Sequence, residues 1–196
     1  MGYTHYWYRK KAIPSAKYKN ITDDFKKLLP KFEKFDIPLA DGHGKNKPII
    51  DEEMVWFNGS ENCGHTPDKS VVIPWPTDDA GGVATSANAK KGSWFAGSLL
   101  QSRCCNGDCS YETFYFPKTY EPKSWEGADK SGKIFFFCKT AFRPYDVAVT
   151  AFLVIAKHYL GADIVVKSDG SEHHWFDGKF LCQQELGYGM EFKLDN

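Results

Sequence analysis

The stretch from Arg143 to Gly161, RPYDVAVTAFLVIAKHYLG, decides the fold. Val147, Ala148, Val149, Ala151, Phe152, Leu153, Val154, Ile155 and Ala156 leave almost no polar side. A helix that is apolar all round has to be covered on most faces. Pro144 suits the first helical position, where its missing N–H would be unpaired in any case. Lys157 and His158 fall in the last turn, where the helix dipole favours positive charge, and Gly161 supplies the stop. The apolar run is too short to cross a bilayer. Residues 144–160 therefore predict a buried central helix.

Working outward, Glu112–Phe116 and Lys133–Lys139 read as strands before that helix, and Asp163–Val166 as a strand after it. Ser168-Asp169-Gly170 reads as a turn and Trp175–Leu186 as an amphipathic helix. The opening Tyr3–Tyr8 is aromatic-rich and reads as a strand. Thr22 ahead of Asp23-Asp24 looks like an N-cap, which predicts a helix over 23–35, strained or ended near Pro30. Residues 36–52 hold Pro38, Gly42, Gly44 and Pro48 and read as a loop. Glu53–Phe57 is a short strand closed by the turn dipeptide Asn58-Gly59. Val71–Ile73 and Ser93–Ala96 are further strands. Helices and strands mix without regular βαβ alternation, which predicts α+β with one mainly antiparallel sheet packed on the central helix. A chain of 196 residues suits a single domain over 1–196, with 60–104 a loop-rich excursion.

Charge narrows the function classes. The chain carries 25 Lys and Arg against 25 Asp and Glu. That balance argues against a dedicated nucleic-acid or anionic-membrane binder, which needs a basic surplus. Residues 1–50 hold 11 basic groups against 5 acidic ones, a solvated face or a weak funnel for an anion. The N-terminus lacks the apolar run of a signal peptide, which predicts a cytoplasmic protein with reduced thiols. No cofactor is expected. Walker, Gly-x-Gly-x-x-Gly, His-Glu-x-x-His and Gly-x-Ser-x-Gly motifs are all missing.

The cysteines are Cys63, Cys104, Cys105, Cys109, Cys138 and Cys182. With His65, the group at 63–109 contains enough ligands for zinc, but it lacks a Cys-x-x-Cys pair. Zinc, a disulfide among Cys63, Cys104, Cys105 and Cys109, and plain reduced thiols stay open; reduced thiols, with no metal ligands, are the favoured reading. Cys138 as a nucleophile beside Lys139 is set against a core thiol, which strand alternation favours.

Two strands end in charge. Glu112 closes a face with Phe114 and Phe116, and Lys139 closes one with Phe135 and Phe137. A charge at the edge of an aromatic face is costly unless it is paired or faces a polar cleft. The next residues, Thr140 to Pro144, run into the start of the central helix. Free N–H groups there, with Lys139, Thr140 and Arg143, make an anion site. Asp146 competes with an anion for those groups, unless the ligand also offers a donor.

The opening Met1-Gly2-Tyr3-Thr4-His5-Tyr6-Trp7, then Trp56-Phe57-Asn58-Gly59, Glu112-Thr113-Phe114, Phe137-Cys138-Lys139-Thr140-Ala141, Pro144-Tyr145-Asp146 and Ser168-Asp169-Gly170, resemble a family of uncharacterised bacteriophage and bacterial proteins. The resemblance covers most of the chain, with 60–104 as an insertion. It implies a phage or prophage origin and action in the bacterial cytoplasm, and it assigns no catalytic residue.

The expected function is that of an accessory protein binding a small anionic, nucleotide-like ligand, such as a host immune signal that it sequesters. Ligand-binding residues are expected at Asn58, Glu112, Lys139, Thr140, Arg143, Asp146 and Asp169, with Trp7, Tyr145 or Trp56 to stack on a base. One alternative is an enzyme acting on such a ligand, with Glu112 or Asp146 as base and Lys139 and Arg143 stabilising negative charge. Another is a protein-binding inhibitor using Trp75, Trp94 and Phe95 in the 60–110 region. Neither nucleic acid nor membrane is an expected partner; a homo-oligomer or a host protein stays open.

Overall fold

In chain order the elements are β1 (Thr4–Arg9), α1 (Ser15–Lys34), β2 (Leu39–Ala40), β3 (Ile49–Ile50), β4 (Met54–Gly59), β5 (Ser70–Val72), β6 (Trp94–Phe95), β7 (Ser98–Leu99), β8 (Ser102–Cys104), β9 (Phe114–Pro117), β10 (Ile134–Lys139), α2 (Asp146–Leu160), β11 (Ile164–Ser168) and α3 (Phe176–Leu186). They come from a computed structural model that describes residues 2–73, 94–95, 98–99, 101–123, 128–129 and 131–195, without the side chains of 94, 95, 98 and 99. The fold is α+β, with antiparallel strand pairs throughout these residues.

The predicted single sheet is instead divided. One sheet has the order β10-β1-β11; a second has β2-β4-β3 with β9 also on β4; β5-β8 and β6-β7 are separate pairs. Several of these strands are only two or three residues long, too short to carry a ladder across the molecule. β11 of the first sheet and β9 of the second pack on α2, whose residues 146–156 are wholly buried. Phe152 is the hub. Its ring meets Phe25 of α1 at 5.1 Å and Phe114 and Phe116 of β9 at 5.0 and 4.9 Å. Gly161 ends α2 at φ 56, its N–H donating to the Lys157 carbonyl, as its sequence position predicts.

Five local expectations need correction. The first helix starts at Ser15 rather than Asp23, with Pro14 just before it; Thr22 lies inside and its hydroxyl donates to the Lys19 carbonyl. Pro30 also lies inside α1, because Phe25, Leu28 and Phe32 bury the face that holds the helix together. Asn58-Gly59 is the end of β4, paired with Ala40 and Leu39, and not a turn. The Asn58 amide accounts for this: it accepts from the N–H groups of Gly59 and Tyr111 at 2.8 and 2.9 Å and donates to the Tyr111 carbonyl at 3.0 Å. Finally, α2 begins at Asp146, two residues after Pro144, and loop 36–52 contains β2 and β3.

Candidate functional site

Alternation along β1 splits its residues between two environments. His5, Trp7 and Arg9 are fully buried, while Tyr6 and Tyr8 keep part of their surface. The register carries the split across the sheet. Tyr6 pairs with Phe137 and Lys167, Tyr8 with Phe135 and Val165, and Thr4 with Lys139, so these share the outer face. His5 pairs with Cys138 and Ser168 on the inner face.

The inner face holds a buried ionic network. His5 Nε2 lies 2.7 Å from Asp146 Oδ1, which also accepts from the Thr140 hydroxyl at 2.6 Å. His5 Nδ1 lies 3.1 Å from the Ser168 hydroxyl. Arg103 of β8 ion-pairs with Asp177 of α3 and approaches Asp146 Oδ2 at 3.5 Å. Its guanidinium rests 4.6 Å from the centre of the Phe142 ring. Burial pushes the Asp146 carboxyl up, but His5, Arg103 and Thr140 outweigh it and hold the group below the ordinary aspartate range. Burial likewise disfavours the Arg103 charge, and Asp177 and Asp146 reverse that. The link that reaches this network is bent. Ala141 and Phe142 have φ of 50° and 56°, a conformation costly for residues with a Cβ.

Thr140 and Asp146 are thus fully buried and bonded to one another rather than turned to solvent. At the helix start the N–H groups of Asp146, Val147 and Ala148 donate to the carbonyls of Arg143, Pro144 and Tyr145, while the Asp146 carboxylate turns to His5 and Thr140. Asn58 is 3% exposed and spends its amide on neighbouring backbone. Glu112 and Lys139 do meet, though through the backbone: Glu112 Oε2 accepts from the Lys139 N–H at 2.7 Å. The Lys139 ammonium lies 5.9 Å from the centre of the exposed Tyr111 ring, and Arg143 lies 5.1 Å from the same ring. Arg143 also donates to the Asp108 and Ser110 carbonyls. Asp169 stands at the far edge of the sheet, accepting from the Thr4 N–H at 3.0 Å and the Tyr6 hydroxyl at 2.8 Å. The predicted residues therefore separate into a sealed group (Asn58, Thr140, Asp146) and one that keeps part of its surface (Glu112, Lys139, Arg143, Asp169).

The stacking candidates need the same correction. Trp7 and Tyr145 are 0% exposed, Trp7 because its parity in β1 faces it inward onto Phe114 and Phe136. Trp56 keeps part of its surface but packs closely against Gly42, where an added Cβ would lie 2.1 Å from the indole. The accessible rings are others. Phe135 is 44% and Phe137 53% exposed. Tyr6, Phe135 and Phe137 lie nearly parallel, with successive centroids 6.1 and 5.8 Å apart. Burial holds the Cys138 thiol well above the usual cysteine range, which disfavours a thiolate nucleophile there. Trp75 lies outside the described residues, as do the side chains of Trp94 and Phe95.

Between β4 and β9, Cys63, His65, Cys105 and Cys109 bring their ligand atoms within 4.8 Å of one another. A hollow of about 460 Å³ lies between α2 and the C-terminal segment, lined in part by Lys157, His158, Glu191 and Asp195. Among the described residues no helix is long and apolar enough to cross a membrane. His5, Arg103 and Asp177 were not singled out by sequence reasoning, although the alternation of β1 already places His5 and Arg9 beside Trp7. No family model, curated protein or solved structure matches the chain.

Proposed function

We propose that the protein captures a small, nucleotide-like anion on the outer face of the β10-β1-β11 sheet. The observation that carries this reading is the row Phe135, Phe137, Lys139 on β10, flanked by Tyr6, Tyr8 and Lys167. Alternate residues of a strand stand roughly 7 Å apart on one face. A base on the Phe137 ring then brings its phosphate toward the ammonium of Lys139 and the guanidinium of Arg143. Among the described residues neither Lys139 nor Lys167 has a carboxylate at ion-pair distance. Stacking of a base on an aromatic side chain contributes roughly 1–3 kcal/mol. In a phage-type accessory protein of the bacterial cytoplasm, such capture sequesters a signalling nucleotide of the host.

Turnover is the rival. Ser168, His5 and Asp146 form a hydroxyl–imidazole–carboxylate chain with distances of 3.1 and 2.7 Å. That order of groups can activate a nucleophile. However, His5 is fully buried and on the face opposite the exposed rings, so a ligand stacked on Phe137 does not meet it. The placement favours capture.

Thermal melting against a panel of nucleotides, cyclic dinucleotides and ADP-ribose derivatives tests this reading. At least one member is expected to raise the melting temperature of the wild type and to leave Phe137→Ala unmoved. A panel without any shift overturns it. Heat release followed by mass spectrometry then separates the two readings: intact ligand supports capture, and altered ligand supports turnover.

A further inference from the structure

We propose that Cys63, His65, Cys105 and Cys109 bind one zinc ion as a closed, structural centre. Zinc–sulfur bonds of about 2.3 Å and zinc–nitrogen bonds of about 2.0–2.1 Å at tetrahedral angles require sulfur pairs about 3.8 Å apart and sulfur–nitrogen pairs about 3.5 Å apart. Cys63 Sγ and Cys105 Sγ are 3.8 Å apart. His65 Nδ1 is 3.3 Å from Cys105 Sγ and 3.4 Å from Cys109 Sγ. These three separations match a tetrahedral shell, and all four ligand atoms lie within 4.8 Å of one another. A disulfide requires about 2.05 Å between sulfurs, and the Cys63–Cys105 separation of 3.8 Å is far beyond that.

The backbone supports the arrangement. Cys63 and His65 are separated only by Gly64, whose φ of +77 turns the chain between two ligands. Between Cys105 and Cys109, Asn106 and Gly107 both take positive φ, 53° and 87°, and the Asp108 N–H donates to the Cys105 carbonyl at 3.2 Å. That tight reversal points two sulfurs the same way. The far nitrogen of His65, Nε2, lies 3.1 Å from Asp36 Oδ1. A carboxylate behind a metal-bound histidine fixes its ring and raises its basicity. Asp36 itself holds φ 61 at the end of α1, a left-handed position that aims it there.

Cys105 and Cys109 are 2% and 0% exposed and the His65 side chain 4%. Four protein ligands leave no open position for water, which marks a structural rather than a catalytic centre. Three sulfurs with one nitrogen select zinc over harder divalent ions. Cys104 is not a ligand: it is exposed and directs its sulfur to the Pro67 carbonyl and the Asn106 side chain. The centre would join the two chain segments that flank residues 74–100. It would also fix the turn whose Asp108 and Ser110 carbonyls receive Arg143.

The test is the metal content of the full chain, purified reduced and without chelator. About one zinc per chain is expected, with Cys104→Ser unchanged and Cys109→Ser depleted. His65→Cys should retain the metal, because a fourth thiolate also closes a zinc shell. Wild-type protein stripped by chelator should take up one equivalent of cobalt(II) and show tetrahedral thiolate bands, a readout that needs no variant to fold. Reduced wild-type protein that takes up neither zinc nor cobalt overturns the proposal. So does an intact mass lower by the two hydrogens of a Cys63–Cys105 disulfide. Neither outcome depends on nucleotide capture.

Discussion

On β1, His5 and Arg9 enter the molecule while Tyr6 and Tyr8, their immediate neighbours, stay at its surface. Inside, the polar heads have partners: His5 meets Asp146, Arg103 ion-pairs with Asp177, and Arg9 donates to the Lys10 and Pro117 carbonyls at 2.8 and 2.5 Å. Burial still lowers the Arg9 pKa to about 10. Outside, among the described residues, the Lys139 and Lys167 ammonium groups have no carboxylate at ion-pair distance. The contrast shows that polar residues next to a helix start can be taken up by the fold, as Thr140 and Asp146 are. Among the described residues the inner cluster is sealed, and the outer face keeps part of its surface.

The largest effect that can break this contrast lies on the inner face. Asp146→Ala leaves the buried Arg103 and His5 without their shared carboxylate and should cost about 3–5 kcal/mol in chemical denaturation. A loss below 1 kcal/mol would show that the network is not sealed. Acid is the next lever. The Asp146 carboxyl is depressed in the folded state, so its contribution is present above the ordinary aspartate value of 3.8 and is lost as pH falls through the lower folded value. Wild type should lose stability below about pH 4. Asp146→Asn should lack that component, which acid titrations of the two proteins check.

The outer face should respond in the opposite way. Phe137→Ala is expected to change stability by no more than about 0.5 kcal/mol, as for ordinary surface positions. It should nevertheless weaken nucleotide capture by roughly 1–3 kcal/mol, which titration calorimetry reads. The smallest effect belongs to Lys167→Met. It should reduce affinity only several-fold and flatten its salt dependence, because an exposed charge acts through a screened field.

Much of the fold is legible in the residues. The all-apolar run before Lys157 forces a buried helix, and Gly161 stops it where a glycine can take φ 56. The paired faces of β10 follow from alternation alone. What the residues conceal is which of those faces is covered. Phe135 and Phe137 look like core side chains in any sequence, and only the register with Tyr6 and Tyr8 places them outside. The candidate site is half visible for a related reason. Lys139 and Arg143 stand near the surface as their positions predict, but Asp146 finds its partners at His5 and Arg103, far away in the chain. Local spacing carries no information about such partners. The Cys and His group is legible as a set of candidate ligands, but which four converge is not, since Cys63 and Cys105 meet across an excursion whose ends are joined by β5 and β8.

The claim that the outer sheet face is the ligand surface is tested most directly by amide chemical-shift mapping. The labelled full chain would be titrated in turn with ADP-ribose and with cyclic dinucleotides. Saturable shifts centred on β1, β10 and β11, strongest around Tyr6, Phe137 and Lys139, are the predicted result. Shifts confined elsewhere, as around Lys157, His158 and Glu191, or a spectrum that none of the probes moves, would contradict it.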